Sequence, residues 1–213
     1  MSEAYYSQWQ RFPKPAKDWQ REESRVFHKG RLAALHYVIR TSRSVLDVGC
    51  GIGLDWLPLS NIRYMGVDVT PKFIEAAKKN GVPCRLGSVL DLRFDDGTFD
   101  TVYCRNLLLH LPPDQVFIAL DEMARVAGKQ VVTVEPAWEN QSNYVIRELI
   151  DNDPSDLLMF FSNTYSEYDM EQYAVNRGLE LHLTRGHDEN RSDFLRRPVD
   201  WQVTVYSKSK KVN

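Results

Sequence analysis

Ser44-Val45-Leu46-Asp47-Val48-Gly49-Cys50-Gly51-Ile52-Gly53 opens a stretch that closes on Gly66-Val67-Asp68. An apolar run feeds a turn with glycine at every second position, a short helical piece follows, and another apolar run ends in an acid. The layout reads as strand, glycine turn, helix, strand, acid. Alternating glycines let the chain turn sharply and bring main-chain N–H and C=O groups against a ligand. Asp68 ends the second strand, where a carboxylate can accept both hydroxyls of a ribose. A helix-capping role for Asp68 is less needed, because Thr70 supplies the next cap. Turn and acid together imply a bound nucleoside.

A dinucleotide site normally reads G-x-G-x-x-G and holds a pyrophosphate on the helix N-terminus. Here the spacing is G-x-G-x-G. Asp47 precedes the first glycine and Asp55 falls in the first turn of the helix, so two acids would repel a pyrophosphate. A ribose, an adenine and a positively charged amino-acid tail fit better. On these residues the chain resembles the class I S-adenosylmethionine-dependent methyltransferases: Val45 to Gly53 is similar to the family's first motif, and Gly66-Val67-Asp68 is similar to the next. The resemblance runs from about Arg43 to Pro136.

The resemblance implies S-adenosyl-L-methionine as cofactor and S-adenosyl-L-homocysteine as product. The implied cofactor contacts are Asp47, Gly49, Cys50, Gly51, Gly53, Asp68 and Val69. Asp47 would place the cofactor's amino group. Ser88, Val89, Leu90 and Asp91 resemble the third motif, which holds adenine, although Ser88 stands where the family often has an acid. Phe99 to Asn106 resembles the fourth motif, so Arg105 and Asn106 should lie near the cofactor's carboxylate or the acceptor. Arg105 and His110 are the candidates for catalysis. His110 also has a purely structural reading.

A chain of 213 residues, 43% hydrophobic, fits one globular domain with a substantial core. Its formal net charge of −2 leaves no electrostatic footprint for nucleic acid. Cys50, Cys84 and Cys104 have neither paired nor metal-type spacing and read as buried thiols in a reducing compartment. With no secretory leader pattern and no apolar run near the ~20 residues of a spanning helix, a cytoplasmic protein off the membrane is expected. Metal-ligand patterns such as H-E-x-x-H are absent from the sequence.

Along the chain, residues 1–42 read as an N-terminal helical lid or extension, helical from Asp18, and residues 43–213 as the methyltransferase domain. Strands are expected at Ser44 to Val48, Tyr64 to Val69, Cys84 to Gly87, Phe99 to Cys104 and Gln130 to Glu135. Helices are expected after Thr70-Pro71, from Pro112-Pro113 to about Ala127, and from Glu167 to Arg177 with Ser166 as cap and Gly178 as stop. Helices are also read within Asn140 to Phe161, inside a helical acceptor-side insertion at about 138–165. Leu179 to Thr184 and Trp201 to Ser207 close the chain as a pair that includes an antiparallel strand. The fold expected is α/β: a Rossmann-like, seven-stranded, mostly parallel sheet with an antiparallel C-terminal strand and helices on both faces.

Tyr5, Tyr6 and Trp9 invite a lid reading, and Glu135, Trp138 and Tyr165 could wall an acceptor pocket. The reaction expected is methyl transfer to an O, N or C atom of a small-molecule acceptor, by a monomer or homodimer. A catalytically silent binding domain, a protein methyltransferase and an NAD-dependent oxidoreductase are the rival readings.

Overall fold

A computed structural model describes residues 28–136, 144–150, 153–162, 166–192 and 198–208. In chain order the elements are α1 (His28–Thr41), β1 (Ser44–Val48), α2 (Trp56–Leu59), β2 (Arg63–Asp68), α3 (Pro71–Lys79), β3 (Cys84–Leu86), β4 (Phe99–Arg105) and a 3-10 turn (Leu108–His110). They continue with α4 (Pro113–Val126), β5 (Ala127–Pro136), β6 (Tyr144–Ile150), β7 (Asp153–Ser162), α5 (Glu167–Asn176), β8 (Leu179–Ser192) and β9 (Pro198–Lys208).

All five residues of β1 are buried. That suits an apolar run at the centre of a sheet covered on both faces. β1 pairs in parallel with β2 on one side and β4 on the other. The seven strands run in the order β3-β2-β1-β4-β5-β9-β8. β9 is antiparallel to both β5 and β8, so the one reversed strand lies between two that run with the rest. After β3 the chain crosses back to β1's other side at β4, and this switch in strand order opens a crevice at the carboxyl ends of the strands.

The two faces carry separate cores. On one, α1 lays Ala34, Leu35 and Val38 against Val45, Tyr103, Val132, Val134, Trp201 and Val203. On the other, α4 buries Val116, Ala119, Leu120, Met123 and Val126, a spacing of three and four that forms one helical stripe. α5 adds Met170, Tyr173 and Ala174 to that face. Its start is fixed by a reciprocal capping box: Ser166 Oγ accepts from Asp169 N–H, and the Asp169 carboxylate accepts from Ser166 N–H.

The five expected parallel strands lie where the sequence puts them, within a residue or two at most ends, with β5 extending back to Ala127. The expected helices within Asn140 to Phe161 are a correction. β6 and β7 form an antiparallel hairpin there, a two-stranded sheet separate from the main one. Runs such as Val145-Ile146 and Leu157-Leu158-Met159-Phe160-Phe161 are short and apolar without a decisive period, and β-branched and aromatic residues favour the extended form. Residues 1–27, which hold most of the expected lid, lie outside the described residues.

Candidate functional site

The glycine turn hangs from β2, because the N–H groups of Gly49 and Cys50 both donate to Val67 O, at 2.8 and 3.1 Å. The glycines differ in what requires them. A Cβ on Gly53 would sit 2.6 Å from Val82 Cγ2, so packing beneath the turn excludes a side chain. Gly51 has φ +54, and a Cβ there would meet nothing within 4 Å. It faces open space at the mouth of the crevice. Its N–H donates to Asp68 Oδ2 at 2.8 Å, while Asp68 Oδ1 accepts from Thr70 N–H at 2.8 Å. Asp68 is thus pre-oriented by two backbone donors. Burial pushes its carboxyl up from the ordinary value, and the amides of Thr70 and Gly51 oppose that rise.

Beyond the turn lies a buried charge cluster. Asp55 accepts from Arg31 Nε of α1, from Arg105 Nε at 3.0 Å and from Tyr103 OH at 3.1 Å. Arg31 also donates to Leu54 O at 2.9 Å. Burial raises the Asp55 carboxyl, but Arg105 and Arg31 overcome it and hold the net value below the ordinary one. Asp47, one turn away, accepts from Tyr64 OH at 2.7 Å. Burial, followed by the charge of Asp55, pushes Asp47 up to about 7, so at neutral pH it waits for a nearby cation to ionise it fully.

The exit of β4 forms the third wall. Asn106 takes φ +54, a left-handed conformation that asparagine tolerates better than most residues, and its N–H donates to Val134 O at 3.0 Å. Glu135, buried at the end of β5, then accepts from the N–H groups of Leu107, Leu108 and Leu109 at 3.0, 3.0 and 3.3 Å. Its carboxylate closes the amino end of the 3-10 turn that carries His110. Burial pushes Glu135 up to about 7 against the pull of those amides.

Of the residues singled out from sequence, Asp47, Gly49, Cys50, Gly51, Asp68, Val69, Val89, Arg105, Asn106 and His110 line one cleft. Gly53 is not among the residues that line it and packs against Val82. Ser88 Oγ accepts from Leu90 N–H at 3.2 Å, and Leu90 packs against the core. Asp91 pairs with Arg93 at the surface. Ser88 and Asp91 border a second groove that shares Val67 and Gly87 with the first. Glu135 holds the β4 exit and is not among the residues that line the cleft. Tyr5, Tyr6, Trp9, Trp138 and Tyr165 lie outside the described residues. Sequence reasoning did not single out Leu54, Thr70, Phe73, Leu107 or Leu111 as lining, nor Arg31, Tyr64 and Tyr103 as partners. Thr70 and Phe73 had a signal, being in or beside the first turn of the helix that follows the ribose acid.

Among the described residues there is no group of three or more His, Cys, Asp or Glu able to hold a metal ion. Nor is any helix among them long and apolar enough to cross a membrane.

A family model described as a methyltransferase domain matches residues 45–130, which span β1 to the start of β5. The chain is similar to ajmaline N-methyltransferase of Rauvolfia serpentina, 33% identical over 97 residues, covering 40% of this chain and 33% of that protein. It is also similar to a probable chloroplastic tocopherol O-methyltransferase of Oryza sativa subsp. japonica, 28% identical over 171 residues, covering 71% of this chain and 46% of the relative. In both cases the match takes in less than half of the relative's length. Among solved structures, magnesium protoporphyrin IX methyltransferase from Synechocystis PCC 6803 with bound SAM superposes with a TM-score of 0.63 at 15% identity, over 98% of this chain and 92% of that one. A SAM-dependent methyltransferase of Methanosarcina mazei gives a TM-score of 0.67 at 16% identity, over 82% and 96%. At such identities these likenesses speak for the fold.

Proposed function

We propose that this chain, whose residues 45–130 match a methyltransferase-domain model, is a class I S-adenosylmethionine-dependent methyltransferase, an enzyme that binds S-adenosyl-L-methionine and transfers its methyl group to an O, N or C atom of a small molecule. The observation that carries the reading is Asp68, held by Gly51 N–H and Thr70 N–H beside the open face of the glycine turn. The residues fit the cofactor. Asp68 would accept the ribose hydroxyls, the space over Gly51 would admit a ligand against the backbone, Val89 would lie along the adenine, and Asp47 would take the cationic amino group.

When bound, the cofactor supplies an electrophilic methyl on sulfur, so the protein's task is mainly alignment. Asn106 and Leu107, fixed at the carboxyl end of β4, would border the reacting atoms. His110 lines the cleft and would be the residue to take a proton from an oxygen or nitrogen acceptor. A small-molecule acceptor is supported by the relatives, whose names give ajmaline and tocopherol. The aromatic residues Tyr5, Tyr6, Trp9, Trp138 and Tyr165 enter this reading as the acceptor's cover. The free thiols of Cys50, Cys84 and Cys104 support a reducing, cytoplasmic setting.

Calorimetry with S-adenosylmethionine, S-adenosylhomocysteine and NAD tests the reading. Binding of the first two without the third is expected. Asp68→Ala should weaken both by about tenfold or more, since hydrogen bonds to a charged group contribute ~1.5–3 kcal/mol each. NAD binding with no response to the sulfonium cofactor, or an unchanged affinity in the variant, would overturn it.

A further inference from the structure

Arg31 belongs to α1, an element outside the strand-turn-strand unit that makes the cleft, yet it reaches the residue pair that follows the glycine turn. Its Nη2 donates to Leu54 O and its Nε to Asp55 Oδ1. The other carboxylate oxygen, Oδ2, receives Arg105 Nε and Tyr103 OH. One buried carboxylate is therefore divided, one oxygen to each guanidinium, and both arginine side chains are nearly enclosed, at 14% and 7% exposure. Arg105 and Asp55 line the cleft; Arg31 stands behind them.

We propose that Arg31 is a positioning residue for the amino-acid end of the cofactor: by occupying Asp55 Oδ1 it fixes the carboxylate's orientation, and thereby the place of the Arg105 guanidinium in the cleft wall. The proposal rests on the functional reading above. Without Arg31, Oδ1 would be left buried without its charged donor, and Asp55 would rotate to take Arg105 on both oxygens, the fork-to-fork geometry that arginine and carboxylate favour. The Arg105 guanidinium would be drawn off the cleft wall. Asp68 and the glycine turn, which meet the nucleoside, hang from β2 and would keep their geometry. Loss of Arg31 should therefore discriminate between ligands that have the amino-acid tail and ligands that lack it. Because α1 supplies the arginine, binding of the tail and docking of α1 are coupled, and each stabilises the other by the same factor.

The test compares S-adenosylhomocysteine with 5′-methylthioadenosine, which keeps adenine, ribose and sulfur but has no amino-acid end. By calorimetry, Arg31→Met should lose about tenfold or more for the first, as small misplacements of a positioning group do, and less than about twofold for the second. Arg31→Lys, which keeps the charge but replaces the planar fork by a compact ammonium, should fall between and decides the matter if the methionine variant does not fold. In wild-type protein, hydrogen exchange within α1 should slow with S-adenosylhomocysteine and not with methylthioadenosine. Equal losses for both ligands, or no loss in either variant, would overturn the positioning role while leaving the functional reading intact. Wild-type protein that binds neither ligand overturns both.

Discussion

Asp47 and Asp55 sit eight positions apart in sequence, face the same cleft and have opposite protonation habits. Asp55 is held ionised by two guanidinium groups, whereas Asp47 has a phenol for a partner and is pushed up to about 7. An acid with a raised value in the folded state keeps its proton while the unfolded chain loses its own near 3.8, so Asp47's contribution to stability is present below that value and is lost as pH rises through about 7. Asp47→Asn, which stays neutral and can still accept from Tyr64, should melt higher than the wild type at pH 8, and that advantage should shrink steadily toward pH 4. Paired melting curves across this range check it. A gap that does not change with pH would mean that Asp47 is ionised in the free protein throughout.

At the scale of elements, the cleft depends on how β4 ends. Asn106 hands its N–H to β5, and Glu135 of β5 hands its carboxylate to the next three amides, so the two strand ends lock the 3-10 turn that carries His110. Glu135→Gln keeps the volume but exchanges one acceptor oxygen for a donor facing those amides. Leaving a buried donor unsatisfied costs about 1–3 kcal/mol. The variant should melt lower, and hydrogen exchange at Leu107 to His110 should speed up while β1 and β2 stay protected. Unchanged exchange in the turn would assign its rigidity elsewhere. The parallel core was legible in the sequence because each of its elements has a local signal: apolar runs for β1, β2 and β4, Thr70-Pro71 for α3, Ser166 and Gly178 around α5. The partners of Asp55 had none. Arg31 lies 24 residues before it and Arg105 50 residues after, and only the assembled sheet brings them together. Glu135 was legible as a residue at the right strand end but not as a cap, for the same reason. The hairpin β6-β7 was misread because its apolar runs are too short for periodicity to separate strand from helix.

The molecule as a whole divides its work between a sheet that carries the cofactor cleft and a hairpin set apart from that sheet. β6 and β7 pair only with each other among the described residues, and β7 packs against the 3-10 turn of His110. The β5–α5–β8 path does not need them: β5 and β8 run parallel with β9 between them, and α5 begins with its own capping box. Replacing residues 137–165 by a short glycine-serine linker should therefore leave a folded protein. Its affinity for S-adenosylhomocysteine should stay within a few-fold of the wild type, because Asp68, Gly51, Asp47 and Arg105 are all held by elements that remain. Methyl transfer, by contrast, should collapse, since the hairpin stands on the His110 side of the cleft, where an acceptor must be walled from water. Calorimetry and a transfer assay on the same preparation separate the two effects. Loss of cofactor binding in a variant that still melts cooperatively would show that the hairpin belongs to the cofactor site after all, whereas full transfer activity would move the acceptor's cover to the N-terminal extension.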